Sequence, residues 1–152
     1  MSALLAAMGI NFASNFLKGV DDSNKASVQA QNSWQQANIY RRNAALVRLS
    51  GARNEDALRS QNRAVMARAA TAGGEAGMGE SETFASALAS TAARMEQNVL
   101  NSRYQTESEA MNYLYQANVA EAAAHQQKKK SKNLFNSGLI NGIYSAFNVY
   151  NG

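Results

Sequence analysis

Apolar side chains recur at helical spacing in two long, mostly polar stretches of the chain, residues 23–72 and residues 81–130. In the first stretch, a rotation of about 100° per residue places five apolar residues on one stripe: Val28, Ile39, Leu46, Ala57 and Ala64. Their spacings of 11 and 7 residues repeat every 18 residues, which predicts one long and nearly straight helix. We expect Asp22 or Ser23 to cap its start and Gly73 to end it.

The second stretch predicts another long helix, with Ser81 as its N-cap. Its first apolar stripe is Phe84, Leu88, Ala92, Met95 and Val99. The stripe then moves by about a third of a turn and continues as Leu100, Tyr104, Met111, Tyr115 and Ala122. This shift predicts a bend, or a change of packing neighbour, near residue 100.

Glycines separate the two predicted helices and mark residues 73–80 as a turn. We expect them to form a tip or hinge: Gly73, Gly74, Gly77 and Gly79. The fold class predicted for the single chain 1–152 is all-α. It is an elongated helical hairpin of two long helices with a glycine-rich tip and apolar terminal helices, and it is oligomeric.

The two ends of the chain, residues 1–20 and 133–152, are more apolar than its middle. A hairpin would bring both ends together, so they are candidates for binding a membrane or a partner. They are also candidates for docking on their own domain or on a neighbouring subunit. The candidate residues are Leu5, Met8, Phe12, Phe16, Phe135, Leu139, Ile143, Phe147 and Tyr150.

Residues 1–17 form an amphipathic pattern that is too polar, and slightly too short, for a comfortable bilayer span. In the C-terminal segment, Gly138 and Gly142 form a GxxxG pair, which permits close helix packing. The alternative for this segment is a β-hairpin that turns at Asn141-Gly142, because this dipeptide is a strong turn signal.

The composition favours helix and argues against most enzyme classes. The chain has 152 residues with no cysteine, no proline and a single histidine, His125, whereas 29 residues are alanine. A disulfide framework, a thiolate nucleophile and a multi-histidine metal site within one chain are therefore excluded. We expect no enzymatic activity, no catalytic residue, no metal and no cofactor. Because alanine buries little area, we expect the chain to complete its core on copies of itself or on partners.

The net charge of +4 allows an anionic partner without requiring one. Four arginines opposite the first apolar stripe could meet nucleic-acid phosphates, face solvent, or form salt bridges to acidic residues of the second helix or of another subunit: Arg41, Arg48, Arg59 and Arg63. Four lysines precede the apolar C-terminal segment: Lys128, Lys129, Lys130 and Lys132. They fit attraction to an anionic lipid surface, or alternatively stabilisation of a helix end.

The order of these segments resembles a known family, the internal virion protein B group of short-tailed bacteriophages of the T-odd type. The alanine-rich start is followed by the Gln/Asn/Ala/Arg helix Gln29–Arg68 and the small-residue break Gly77-Met-Gly-Glu-Ser81. An Asn/Arg/Tyr-bearing helix around Asn98–Tyr104, the Gln-Gln-Lys-Lys-Lys-Ser-Lys stretch at 126–132 and an apolar Gly/Ser/Ala/Tyr tail complete the layout.

The resemblance implies a small ejection protein in the internal core of the virion, stacked on the portal. Its implied partners are further copies in a homo-oligomeric ring, the portal protein and the larger internal virion proteins. After ejection through the tail, it would assemble in the host outer membrane as part of a channel for genome translocation. The open alternatives are a purely structural core or portal/tail adaptor that binds protein only, and a basic helical protein with non-specific DNA contact.

Overall fold

Two long α-helices pack against each other. The computed structural model describes the backbone of residues 2–151 and the side chains of residues 12–145 and 147. The first helix, α1, is Ser2–Glu75, and the second, α2, is Glu82–Asn151. No strand occurs in the described backbone. The prediction of an all-α chain with two long helices is confirmed.

Each helix runs without a break through positions where the sequence suggested a boundary. Residues 2–20 and 23–72 belong to α1, and residues 82–130 and 133–151 belong to α2. No proline occurs at residues 21–22 or 131–132, where the segments join. The ion pair between Asp21 and Lys25, whose charged atoms are 2.6 Å apart, stabilises α1 across the first of these junctions. Ser23 is therefore not an N-cap. The Asn141-Gly142 dipeptide also lies within α2, so the hairpin alternative at this position is not adopted.

The end of α1 lies beyond the predicted stop at Gly73. Gly73 and Gly74 are helical, and Gly77 has the left-handed φ of 72°. The Met78 N–H donates to the Gly73 carbonyl at 2.9 Å, and the Gly77 N–H donates to the Gly74 carbonyl at 3.0 Å. This pair of bonds is the Schellman motif, which needs a left-handed residue at its centre. Gly77 therefore ends α1, while a side chain at Gly73 would collide with the ring of Phe84.

Ser81 caps α2 as the sequence predicts. Its Oγ accepts a hydrogen bond from the Phe84 N–H at 3.4 Å, which satisfies one of the free donors in the first turn. Glu82 stands in that first turn, where a negative charge is favoured by the helix dipole.

The chain divides into two compact units. Unit 1 is Met1–Ile39 with Gln116–Gly152, and unit 2 is Tyr40–Tyr115. Among the described residues, the buried apolar core is one valine and seven alanines. In unit 1 these are Ala26, Ala30, Ala37, Ala117 and Ala124, and in unit 2 they are Ala44, Val99 and Ala110. The two helices therefore meet along small side chains, called the inner seam below.

The inner seam corrects the sequence-based choice of contact face. In α1 the predicted stripe points to solvent, with Val28, Ile39 and Leu46 exposed by 54 to 56%. The seam repeats every seven residues through Ala30, Ala37 and Ala44, not over 18 residues. The prediction selected the largest apolar residues, but two backbones approach closely only where side chains are small.

In α2 the contact with α1 follows the first predicted stripe up to Val99 and leaves the second stripe exposed. Val99 is buried and Phe84, Leu88 and Met95 are half-buried, although Ala92 is exposed. After Val99 the contact continues through half-buried Ser102 and Thr106 to buried Ala110. The second predicted stripe, from Leu100 to Ala122, is exposed. The shift near residue 100 therefore marks a second face of α2 and not a change of neighbour inside the chain.

Candidate assembly surfaces

The two helices come into close backbone contact at a pair of glycines in unit 1. A Cβ placed on Gly19 would lie 2.6 Å from the Cα of Gly138, and one placed on Gly138 would lie 2.7 Å from the Cα of Gly19. A Cβ on Gly142 would lie 3.0 Å from the Phe12 ring. Both glycines of the GxxxG pair therefore contact α1 of the same chain. Gly19 was not recognised from the sequence, although its spacing of seven from Ala26 places it on the seam.

The apolar ends of the chain meet in unit 1. The rings of Phe12 and Phe16 stack with centroids 5.8 Å apart, and Phe16 meets Phe135 edge to face at 6.1 Å. Much of this surface stays open, since Phe135, Leu139, Ile143 and Phe147 are exposed by 39 to 62%. The side chains of Leu5, Met8 and Tyr150 lie outside the described residues.

A polar contact joins the helices within the seam of unit 1. The Ser131 hydroxyl donates to the Ser23 carbonyl at 2.9 Å, and the Ser23 and Ser131 hydroxyl oxygens are 3.0 Å apart. The rings of Trp34 and His125 meet edge to face at 5.1 Å. The sequence signal for the serine pair is its register, because Ser23 is seven residues before Ala30 and Ser131 seven after Ala124.

The arginine side of α1 faces carboxylates of α2 in unit 2. Arg48 donates to Glu107 at 3.0 Å, and Arg59 donates to Glu96 at 3.2 Å and pairs with Glu55 at 3.1 Å. Arg63 lines a groove beside Arg59, and Arg41 also has a bonding partner. The salt-bridge interpretation thus holds for Arg48 and Arg59.

The lysines lie in unit 1. Lys128, Lys129, Lys130 and Lys132 are exposed on α2. Lys25 bonds to Asp21, and this hydrogen bond, with the attraction between their charges, raises the pKa of Lys25 above its ordinary value. Unit 1 therefore presents a cluster of four solvated ammonium groups on a helix whose next turns carry Phe135 and Leu139.

Large apolar side chains remain on the outside of unit 2. On α1, Leu46 and Leu49 are exposed by 56% and 50%. On α2, Leu100, Tyr104, Met111 and Tyr115 are exposed by 52 to 77%. These residues lie on the sides of the helices turned away from the inner seam, so the chain offers apolar surface that its own fold does not use.

Within the described residues, no helical segment is long and apolar enough to cross a bilayer, and no group of acidic or histidine side chains has the arrangement of a metal site. No family model, curated protein or solved structure matches the chain.

Proposed function

We propose that this chain is a non-enzymatic internal core protein of a bacteriophage virion, which is packed near the portal and ejected into the host envelope. The observation that carries the proposal is the inner seam. A protein that passes through a narrow tail has to separate its helices and pack them again afterwards. A contact made of alanine and glycine suits this requirement, because each buried methyl contributes only about 0.8 kcal/mol.

Two further features support the proposal. The chain has no cysteine, so no cross-link holds the helix pair together. Many of its large apolar side chains are exposed outside the seam, where they are available to copies of the chain, to the portal protein or to the larger internal virion proteins. We also propose that the turn around Gly77 acts as the hinge when the helices separate, since it lies between the two helices and glycine has the widest choice of backbone angles.

The proposed virion role is tested directly by measuring how much of this chain purified particles contain. Quantitative mass spectrometry should detect the chain in particles that contain DNA, and should find it lost from particles emptied by a receptor trigger. The portal protein serves as the internal standard that both samples retain. Absence of the chain from full particles, or its full retention in emptied particles, would contradict the proposal.

The second part of the proposal is that, after ejection, the two apolar ends in unit 1 and the lysines beside them bind the host outer membrane and contribute to the translocation channel. Exposed Leu139, Ile143 and Phe147 supply apolar surface, and four ammonium groups supply attraction to anionic lipid. Dye release from anionic vesicles tests this part. Changing Leu139, Ile143 and Phe147 to serine should abolish release.

The matched control changes three other exposed apolar residues, Val28, Val65 and Met78, to serine and should leave dye release intact. Equal release by both variants would contradict the membrane role. It would favour the second candidate function, a structural core or portal/tail adaptor that binds protein only. That candidate draws support from the outer apolar residues of unit 2, which alternate with polar side chains as protein contacts do.

A further inference from the structure

Unit 2 carries two exposed faces with the same spacing, one on each helix. The α1 outer face is Arg42, Leu46, Arg53 and Ala57, with steps of 4, 7 and 4 residues. The α2 outer face is Leu100, Tyr104, Met111 and Tyr115, with the same steps of 4, 7 and 4. All eight side chains are exposed, and those of Tyr104 and Tyr115 are exposed by 77% and 70%. Each helix thus has an inner seam and a second, unused face.

The two outer faces match when they are laid antiparallel. Arg42 then meets Tyr115, Leu46 meets Met111, Arg53 meets Tyr104, and Ala57 meets Leu100. The contacts between α1 and α2 inside one chain have the same register: Gly51 lies against Thr106, and the Asn62 side-chain amide donates to the Met95 carbonyl. A second copy standing beside the first without axial displacement therefore brings the two faces together.

The pairs that result are chemically complementary. A guanidinium group over a tyrosine ring gains a cation–π attraction of about 0.5 to 2 kcal/mol. Arg42 and Arg53 form no ion pair with the described residues of their own chain, so both guanidinium groups are available. The four residues of the α2 outer face carry no charge, and Asn101, Ser108 and Asn112 beside them are uncharged. The nearby Arg103 lines a groove together with Asp56 and Glu107. The nearby carboxylate of Glu107 is already paired with Arg48.

The exposed area of the chain leaves room for a contact between copies. The accessible surface of the chain is 11014 Å², whereas a compact monomer of its mass would expose about 7,500 Å². A stable specific interface buries at least about 1,200 Å² in total, with about 20–30 residues on each side. The four residue pairs are therefore the centre of the contact, and the flanking side chains of both helices contribute the rest of the buried area.

We infer that the α1 outer face of one copy packs on the α2 outer face of the next, an inference that rests on the expectation from the sequence that the chain is oligomeric. The contact uses a different surface on each partner, so a pair of copies keeps one free face of each kind. Such a head-to-tail contact repeats from copy to copy, and it forms a ring when the rotation between neighbouring copies closes. In that ring each helix lies between two others, with its inner seam on one side and its outer face on the other.

Complementary face variants of the full chain test this inference by sedimentation velocity. Arg42→Glu with Arg53→Glu removes the α1 outer face, and Tyr104→Ser with Tyr115→Ser removes the α2 outer face. Each variant alone should show at least a tenfold weaker self-association than the unchanged chain. Mixed in equal amounts, they should form a dimer that does not grow, because only one intact face of each kind remains. The charge-matched control, Arg68→Glu with Arg94→Glu, should assemble as the unchanged chain does.

Circular dichroism checks that each variant keeps its helix content. The inference is overturned if the unchanged chain stays monomeric at about 100 μM, or if either face variant assembles normally. It is also overturned if the mixture stays monomeric, or if the faces bind anionic vesicles in place of a second copy. None of these results alters the content of purified particles, so a failure of this inference is distinguishable from a failure of the proposed virion role.

Discussion

Replacement of Gly138 by alanine tests the inner seam, because helix propensity predicts that the substitution stabilises the protein, whereas packing predicts that it destabilises the protein. In the interior of a helix, alanine is favoured over glycine by about 1 kcal/mol. The added Cβ would lie 2.7 Å from the Cα of Gly19, whereas carbon atoms in ordinary contact are about 3.5 to 4.0 Å apart. Because the added Cβ would meet a backbone atom and not a flexible side chain, the helices have to separate by about 1 Å. Overpacking of this kind costs typically 1–3 kcal/mol, which leaves a net loss of up to about 2 kcal/mol.

Gly74→Ala is the matched control, since Gly74 is also helical and nothing lies within 4 Å of its missing side chain. Thermal unfolding followed by circular dichroism should show a lower midpoint for Gly138→Ala, by up to about 8 °C. The midpoint of Gly74→Ala should be unchanged or slightly raised. If Gly138→Ala raised the midpoint as much as Gly74→Ala does, the close glycine contact would be refuted.

Three smaller changes probe the turn, the cap and the ion pairs by the same unfolding measurement. Gly77→Ala should cost about 1–2 kcal/mol because of its left-handed φ, whereas Gly79→Ala, which has no positive φ, should be nearly neutral; equal effects would contradict the Schellman motif. Ser81→Ala should cost about 1 kcal/mol through loss of the N-cap, and an unchanged midpoint would count against that cap. Arg48→Gln should cost less than about 1 kcal/mol, since Arg48 and Glu107 are both about half exposed; a larger loss that persists in high salt would contradict a solvent-screened pair.

The two long helices and the start of α2 were predictable from local signals. The absence of proline, the abundance of alanine and the Ser81 cap are sufficient to predict two long helices, because each acts within one or two turns. The apolar stripe on α2 from Leu100 to Tyr115 was also recognised, as the sign of a bend or a change of packing neighbour. Periodicity shows that residues share a face and does not show which neighbour covers that face.

The inner seam was harder to predict because its residues are individually unremarkable. Alanine occurs at 29 positions, so a seven-residue repeat of alanine is hidden among alanines on every other face. What selects these alanines is the partner helix: in unit 1, Ala30 and Ala37 are buried together with Ala117 and Ala124, and in unit 2, Ala44 is buried together with Ala110. Gly19 and Gly51 are signals of the inner seam in the sequence. Glycine in the interior of a long helix destabilises that helix, and the close contact with the other helix explains why these positions are glycine.

The arginines illustrate a similar limit. A row of Arg41, Arg48, Arg59 and Arg63 opposite an apolar stripe is equally compatible with phosphates and with carboxylates. Only the position of Glu96 and Glu107 on the neighbouring helix decides between them for Arg48 and Arg59. Arg42 and Arg53 were not selected from the sequence, and they become candidates only because their spacing matches that of Tyr104 and Tyr115.

The central claim is that the helix pair has to open during ejection, and a reversible lock at the Ser23–Ser131 contact tests it most directly. The two hydroxyl oxygens are 3.0 Å apart and the chain has no cysteine, so Ser23→Cys with Ser131→Cys creates a single possible disulfide. Closing a loop of this length should stabilise the helix pair by about 4–5 kcal/mol. Particles that carry the oxidised variant should retain the chain when their DNA is triggered to leave, and reduction should restore its release. Equal release from oxidised and reduced particles would contradict the account.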